Sequence, residues 1–550
     1  MMFSPLLSLL LSYAFTFTCV IAASPDRSEQ QPITYGDLLE DSSCHQTCIA
    51  LQQTLLETYY GSIPPYFTST YYSFQQASVI PACVIRPQTS SEVSSAMKII
   101  GKSECHFAIK SGGHNMNEGF SNVEGGITID LARMKDIEIS EDEAIVKVGA
   151  GCRWGEIYEV VEQRGLMVVG GRDSTVGVGG FLLGGGISFL SQRYGWGSDN
   201  VRNFEIVLSN GTIANANAHD NPDLYWALRG GGNNFGIVTR FDLQTYPQGP
   251  AWGGQNFYLF SDISTQRNTL SILPRPFLPL SLHSLTIPLT NFLLKTACLL
   301  SYCTTTSTFL NAIQDLVTNQ TSDTSSQFYG SIGYLAQYDL FAGLTCLTNS
   351  NGVANPSALE EVRKLGAYST NRNASMGELS KELTSMDVWG DRIIWATMTL
   401  YPHPELSQKI LDLFLELIEN IKHVPGCLPS FVLQPLVPSV HSDGSQSPNG
   451  LSGNNKMLIV FNKNIWWSTQ ASDSYTPLMQ QSSHELITKL TLFAKKLGIL
   501  HKYIYPNYAD ASQDIFAGYG EENLSRLRKV QEAYDPEGTW RRLQSGGFKI

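Results

Sequence analysis

Two stretches of the chain hold residues whose types and spacing could do chemistry. Lys110-Ser111-Gly112-Gly113-His114-Asn115 follows a short apolar run, Phe107-Ala108-Ile109. That run reads as a buried strand, so the hexapeptide is the turn that leaves it. Glycine tolerates positive φ and lets backbone N–H groups approach a ligand closely. Consecutive N–H groups in such a turn form a concavity suited to a pyrophosphate. His114 stands at the exit, where an imidazole would reach past the phosphates. An ordinary turn with a surface histidine is the plainer reading, and the hexapeptide alone does not choose between them.

Residues 170 to 201 narrow the choice. Gly177, Gly179, Gly180, Gly184, Gly185 and Gly186 fall within ten positions. Such density suits neither a helix nor a strand. The interleaved Val, Leu, Ile and Phe argue against a solvated linker. Backbone packed closely against something flat and large fits better.

Taken with Tyr505-Pro506-Asn507-Tyr508 and the terminal Gly546-Gly547-Phe548-Lys549-Ile550, in that order, these stretches resemble the flavoprotein family of vanillyl-alcohol oxidase and the berberine bridge enzymes. The resemblance is to its fungal secreted, FAD-linked oxidoreductases, and it runs from about residue 77 to 247 before resuming near the end. It implies a two-domain α+β fold: a PCMH-type FAD-binding domain and a substrate domain of antiparallel sheet backed by helices. It implies FAD held by a single covalent link from His114 to the flavin ring methyl. Ser111, Gly112 and Gly113 would hold the pyrophosphate. Asn115, Ser174, Val176, Gly177, Gly179, Gly180, Gly184, Gly185, Gly186, Gly236, Ile237, Val238 and Asn507 would make the remaining cofactor contacts.

The reaction it implies is hydride transfer from a small organic substrate, with dioxygen reoxidising the flavin. Tyr508 would be the base. A phenol has an unperturbed pKa near 10, so it needs a nearby positive charge or donor to act near neutrality. A packed tyrosine with a bonded hydroxyl is the other reading of Tyr508. Two departures matter. Asp173 stands where berberine bridge enzymes carry a second, cysteinyl flavin link, and a carboxylate cannot form that bond. Phe181 replaces a frequent histidine. Val176 matches the valine of oxygen-using members and favours an oxidase; a small core residue is its other reading. The resemblance also implies a pairing of Cys48 with Cys105; buried free thiols are the plainer reading of Cys83, Cys152 and Cys346.

The elements that must position these residues are legible in outline. Residues 43 to 60 have helical spacing. A strand at 81 to 85 precedes a helix capped near Ser90-Ser91, with Val93, Ala96, Met97 and Ile100 on one face. Ile127, Ile129 and Leu131 alternate, as do Val146 and Val148. Trp154, Ile157, Tyr158 and Val161 face one way on a helix closed by Gly165. A hairpin turns at Asn210-Gly211. A helix starts at Asn221-Pro222, and a strand from 236 to 246 carries Ile237, Thr239, Phe241 and Leu243 on one side. This mixture argues for α+β, not a doubly wound sheet.

Residues 77 to 248 are therefore taken as the flavin domain, with 24 to 76 as its N-terminal segment. The substrate domain spans 251 to 497, and 498 to 550 returns to the flavin domain. Within the substrate domain, 269 to 308 hold only Arg275 and Lys295 as charges and four prolines. This piece is expected to fit the fold badly, whether a genuine insertion or translated non-coding sequence. Helices are expected around Leu406 to Ile421 and Leu486 to Leu497, with a strand from 457 to 461 between them.

Bulk properties bound the partners. At 550 residues two domains are the prior. Charged residues make up 16% and the net charge is −12, without the clustered Lys and Arg that nucleic acid requires. Residues 3 to 23 read as a cleaved secretory signal, although no Lys or Arg precedes the apolar run; a retained anchor is the alternative. A secreted monomer without membrane attachment is expected, with sequons at Asn210, Asn319, Asn373 and Asn523. Histidine spacing gives no metal site, and no GxSxG is present. Rival functions are a carbohydrate oxidase and a non-catalytic secreted flavin-binding protein.

Overall fold

The computed structural model describes residues 33–34, 43–263, 303–319, 323–365, 368–436, 447–451 and 456–550. The expected leader lies outside the described residues, as does most of the 269–308 piece.

The strand Phe107–Lys110 forms and sits at the edge of a four-stranded sheet, ordered Thr58–Tyr60, Cys83–Ile85, Ile127–Asp130, Phe107–Lys110. Its last three strands are parallel. Parallel strands need a crossover, and the helix Ser90–Ile100 supplies the one from Cys83–Ile85 to Phe107–Lys110, which flank Ile127–Asp130. Val93, Ala96, Met97 and Ile100 are fully buried under it. The helix is capped one residue earlier than expected: the Thr89 hydroxyl accepts from the Glu92 N–H at 3.2 Å.

A second, antiparallel sheet is ordered Ile213–Asn217, Val201–Val207, Ile237–Gln244, Ile145–Gly149, Ile137–Ile139. Ile237, Thr239, Phe241 and Leu243 all face its core. The hairpin at Asn210-Gly211 closes with Gly211 at φ 81°.

The disulfides differ from expectation. Cys44 pairs with Cys105 and Cys48 with Cys83. Both Cys44 and Cys48 lie on the helix Ser43–Thr54. Residues four apart share a helix face, so each meets a different part of the sheet beneath. The expected Cys48–Cys105 pair is off by one helical turn, and Cys83 is not a free thiol. Cys152 and Cys346 are free and buried.

The third sheet is the largest. Its order is Cys303–Thr304, Ala251–Phe260, Leu340–Asn349, Ser326–Leu335, Leu428–Leu436, Leu458–Trp467, Arg392–Leu400, Leu500–His501. It is antiparallel except where Cys303–Thr304 pairs with Ala251–Phe260. Residues 303 to 308, the described end of the piece expected to fit badly, are integrated: they form this edge strand and open the helix Thr306–Asn319. The strand expected at 457 to 461 runs on to Trp467. Alternate residues of a strand point to opposite faces. Phe461 and Ile465 pack under the helices Leu406–Ile421 and Thr476–Lys496 in one core, while Val460 belongs to the other. Both faces are thus covered, which explains the near-continuous burial of this strand.

The chain then comes back to the first sheet. The Phe107 N–H donates to the Leu543 carbonyl at 2.9 Å, and the Trp540 ring meets Phe107 at 5.4 Å. Leu500 still pairs with Leu400 in the large sheet, so the return begins after His501.

Candidate active site

The three larger sheets all contribute to a cavity of about 430 Å³. Ser111, Gly112, Gly113, His114, Asn115, Val176, Gly177, Gly179, Gly180, Gly184, Gly236, Ile237, Val238, Asn507 and Tyr508 line it. Ser174, Gly185 and Gly186 do not. The Ser174 N–H donates to Thr384 Oγ1 at 2.9 Å. Gly185 and Gly186 have φ of 102° and 85°, and side chains there would strike Trp196 and Phe181. They shape the turn behind the wall.

Two backbone segments press together at one end. A methyl on Gly112 would lie 2.4 Å from the Gly177 nitrogen. The Ser111 hydroxyl ties them by donating to the Ala150 carbonyl at 2.6 Å and accepting from the Gly179 N–H at 3.3 Å. Gly180 is different: it lines the cavity, and a methyl there would meet no protein atom within 4 Å. Gly184 makes room for Asn507, whose amide donates to the Phe181 carbonyl at 3.1 Å.

His114 sits in an aromatic slot. Its ring stacks on Tyr72 at 4.1 Å and meets the edge of Trp389 at 5.4 Å. Its Nε2 lies 3.1 Å from Thr175 Oγ1 and 3.9 Å from Asp387. The Thr175 hydroxyl donates to Asp173 at 2.6 Å. Burial lowers the imidazole pKa to about 4, although the Asp173 charge pulls the other way. Asp173 and Asp387 are a coupled pair. Burial and the neighbouring negative charge hold Asp387 well above its ordinary value, in the neutral form. Burial opposes ionisation of Asp173 too, but hydrogen bonds from Asp387 and Thr175 and the nearby His114 outweigh it and lower its pKa. His114, Asp173 and Asp387 bring three ligand-type atoms within 4.8 Å of one another. Nε2 is already engaged by Thr175, so the group reads as a hydrogen-bond network rather than a metal centre.

Tyr508 lies in the short 3-10 turn Pro506–Tyr508. Gln513 braces the segment that follows against the large sheet, bonding both the N–H and the carbonyl of Thr397. The Tyr508 ring packs edge-on against Tyr505 at 4.8 Å and Trp395 at 5.5 Å. Its hydroxyl accepts from Arg172 Nη2 at 2.8 Å, and the same nitrogen donates to Gln434 at 2.7 Å. Arg172 is 9% exposed and also lies over the Tyr329 ring at 4.9 Å. The titratable groups around it are Tyr508, Tyr329, Cys346 and Tyr505, none of them a carboxylate.

Residues 81–217 match the family described as FAD binding domain. The chain is 32% identical over 557 aligned residues to the FAD-dependent monooxygenase tpcD of Cochliobolus heterostrophus, covering 96% of this chain and 98% of that one. It belongs to the FAD-linked oxidoreductases of the vanillyl-alcohol oxidase and berberine bridge enzyme-like family. The fold is similar to 6-hydroxy-D-nicotine oxidase of Arthrobacter nicotinovorans, at TM-score 0.67 and 19% identity over 90% of this chain and 97% of that one. It is also similar to glucooligosaccharide oxidase of Acremonium strictum, at TM-score 0.66 and 18% identity over 90% and 97% of the chains. That protein carries a 6-S-cysteinyl, 8α-N1-histidyl FAD.

The residues of this oxidoreductase fit a flavin. Gly180 leaves open space on the wall, and the Gly112–Gly177 contact brings backbone N–H groups to one end. Sequence reasoning did not single out Arg172, Asp387, Tyr72, Trp389, Trp395, Gln434, Asn462 or Asn464. Asn462 and Asn464 line the cavity from the large sheet. Their even spacing was available once the strand was extended past 461. Arg172 is a positive charge bonded to the Tyr508 hydroxyl, but no local pattern marks it.

Proposed function

We propose that the protein is a secreted, monomeric FAD-linked oxidase of a small, largely apolar organic molecule, with the flavin held covalently by His114 and dioxygen as the acceptor. The contact between Arg172 and the Tyr508 hydroxyl, 2.8 Å inside the flavin cavity, carries this reading. FAD, when bound, supplies the hydride acceptor. Tyr508 takes the proton from the substrate hydroxyl, enol or phenol. Arg172 stabilises negative charge on the phenolic oxygen; a guanidinium stays charged even when buried. Gln434 fixes the guanidinium, and the rings of Trp395 and Tyr505 hold the phenol in one orientation. Tyr329, Trp395 and Val432 make a largely apolar wall, while Gln434, Asn462 and Asn464 offer amides for orientation. That wall supports a flat metabolite over an oligosaccharide. Two disulfides support the secretory route. No described helix is long and apolar enough to cross a membrane.

The name of the fungal relative, a monooxygenase, favours a second reading in which an oxygen atom enters the product. One experiment separates them. The protein is incubated with candidate substrates under air, and peroxide and product mass are followed together. An oxidase releases peroxide and a product two hydrogens lighter. A product heavier by one oxygen overturns the oxidase reading.

A further inference from the structure

We propose that Asp173 and Thr175 act as a relay that fixes the His114 tautomer and so drives covalent attachment of the flavin through Nδ1. The inference rests on the covalent reading above and adds the residues that bring the link about.

The argument is a count of protons. The Thr175 hydroxyl has one hydrogen to give. Asp173 Oδ1 is 2.6 Å away and also accepts from the Thr175 N–H at 2.7 Å, while the Thr384 hydroxyl at 3.0 Å shares its one hydrogen between Asp173 and the Ser380 carbonyl. Both Thr175 donors converge on one oxygen and Asp387 also bonds this carboxyl, which is the environment of an ionised carboxylate. The shorter, charge-assisted bond claims the threonine hydrogen. The oxygen of Thr175 therefore faces His114 Nε2 at 3.1 Å as an acceptor. The nitrogen it faces must carry the proton, because the second ring nitrogen of a neutral imidazole carries the lone pair. Nδ1 is that second nitrogen. The competing place for the proton is the residue's own backbone carbonyl. A ring N–H reaches its own carbonyl only at a bent angle, where hydrogen bonds weaken steeply. The ring is held in this pose by Tyr72 on one face and Trp389 at its edge.

Attachment forms one bond, His114 Nδ1 to the ring-methyl carbon of the flavin. One methyl C–H bond and the imidazole Nε2–H bond are lost. The two protons and two electrons leave together as hydrogen peroxide, with dioxygen as the oxidant. The relay supplies two parts of this. It keeps Nδ1 nucleophilic, and it points the Nε2 proton toward an anion that can accept charge through Thr175. Thr175 is a positioning residue, and Asp173, which also lines the cavity, acts on His114 through it.

The test compares wild type with Thr175→Val, Thr175→Ser and Asp173→Asn. Each protein is produced without flavin in a riboflavin-limited host and mixed with FAD under air. Covalent flavin is read by in-gel fluorescence after denaturation and by mass of the His114 peptide. Flavin bound without a link is read by absorbance before denaturation. Thr175→Val and Asp173→Asn should bind FAD yet attach it roughly 10- to 100-fold more slowly, the span seen when partners that orient an imidazole are removed. Thr175→Ser, which keeps the hydroxyl, should restore the rate. Attachment at the wild-type rate in both variants, or a link through Nε2, overturns the relay alone. If wild type binds FAD but releases all of it on denaturation, the covalent reading fails and the relay falls with it. If Thr175→Val is insoluble, Asp173→Asn and the serine variant still decide.

Discussion

The two ends of the cavity hold opposite charge. At one end an imidazole is kept neutral beside a pair of carboxyls, Asp173 and Asp387. At the other a phenol is bonded to an uncompensated guanidinium. The residues that set these environments, Arg172 and Asp173, are neighbours in the chain. Adjacent residues thus serve both ends: Arg172 bonds Tyr508 and Asp173 bonds Thr175. The partners that complete each end come from the large sheet and the segment around it. Gln434 bonds Arg172, and Thr384 bonds Asp173. In the proposed function the His114 end makes and holds a bond to the cofactor, which calls for an anion nearby and a lone pair. In the same proposal the Tyr508 end handles substrate protons, which calls for a cation.

The strongest way to break this contrast is Tyr508→Phe. The change removes one hydroxyl, and flavin retention at the His114 end should survive. Flavin reduction in single turnover should slow by roughly 10²- to 10⁴-fold, the usual span for a lost general base. Reaction of pre-reduced protein with dioxygen should be little changed. Equal slowing of both half-reactions would mean a displaced flavin. An unchanged reductive rate would move the base to the strand carrying Asn462.

Arg172→Gln comes next. It removes the cation but keeps a donor. Hydrogen bonds to charged groups are worth about 1.5–3 kcal/mol, so the reductive rate should fall roughly 10- to 150-fold. Arg172→Lys keeps charge without the planar fork that reaches Tyr508 and Gln434 together, so it should recover only part of the loss. Covalent flavin content should match wild type in both. Loss of the link in Arg172→Gln would show that the ends are not independent.

Asp387→Asn examines the anionic end through stability. The folded-state pKa of Asp387 is raised, chiefly by burial and then by Asp173. A raised pKa contributes stability that is fully present below the unfolded value near 3.8 and is lost as pH climbs through the folded value. Asparagine stays neutral throughout. Thermal melts of flavin-free protein from pH 4 to pH 8 should therefore start close together and separate, with the variant increasingly the more stable as pH rises. Parallel curves would mean that Asp387 is ionised in the folded chain at every pH tested.

How much of this was legible beforehand depends on range. The turn around His114, the strand before it and the helix faces follow local rules, and they stand where those rules put them. The glycine-rich stretch announced close packing, yet Gly185 and Gly186 differ from Gly180 in backbone conformation and in what lies beside them. Trp196 and Phe181 back the first two, while the cavity faces the third. No spacing in the sequence carries that information. The disulfide exchange between Cys44 and Cys48 is the same kind of miss, since a helix face is legible but its angular setting on a sheet is not. Arg172 and Tyr508 are 336 residues apart. Their contact exists only because the chain leaves the flavin domain, builds the large sheet and comes back.

The smallest expected effect belongs to Gly180→Ala, which touches neither end. Gly180 lies in the helix Val178–Leu183. Alanine there should stabilise flavin-free protein by about 0.5–1 kcal/mol, because glycine loses more chain freedom on folding. No protein atom within 4 Å would oppose the methyl. A flavin packed on that wall would, and overpacking costs about 1–3 kcal/mol. The two effects nearly cancel in the loaded protein, so they must be separated. Melting of flavin-free variant should occur above wild type, while the stabilisation gained on adding FAD should shrink. A variant that gains stability without flavin and the full wild-type increment with it would mean that the cofactor does not lie against Gly180. The comparison of the two ends would then have to be redrawn around a different path between them.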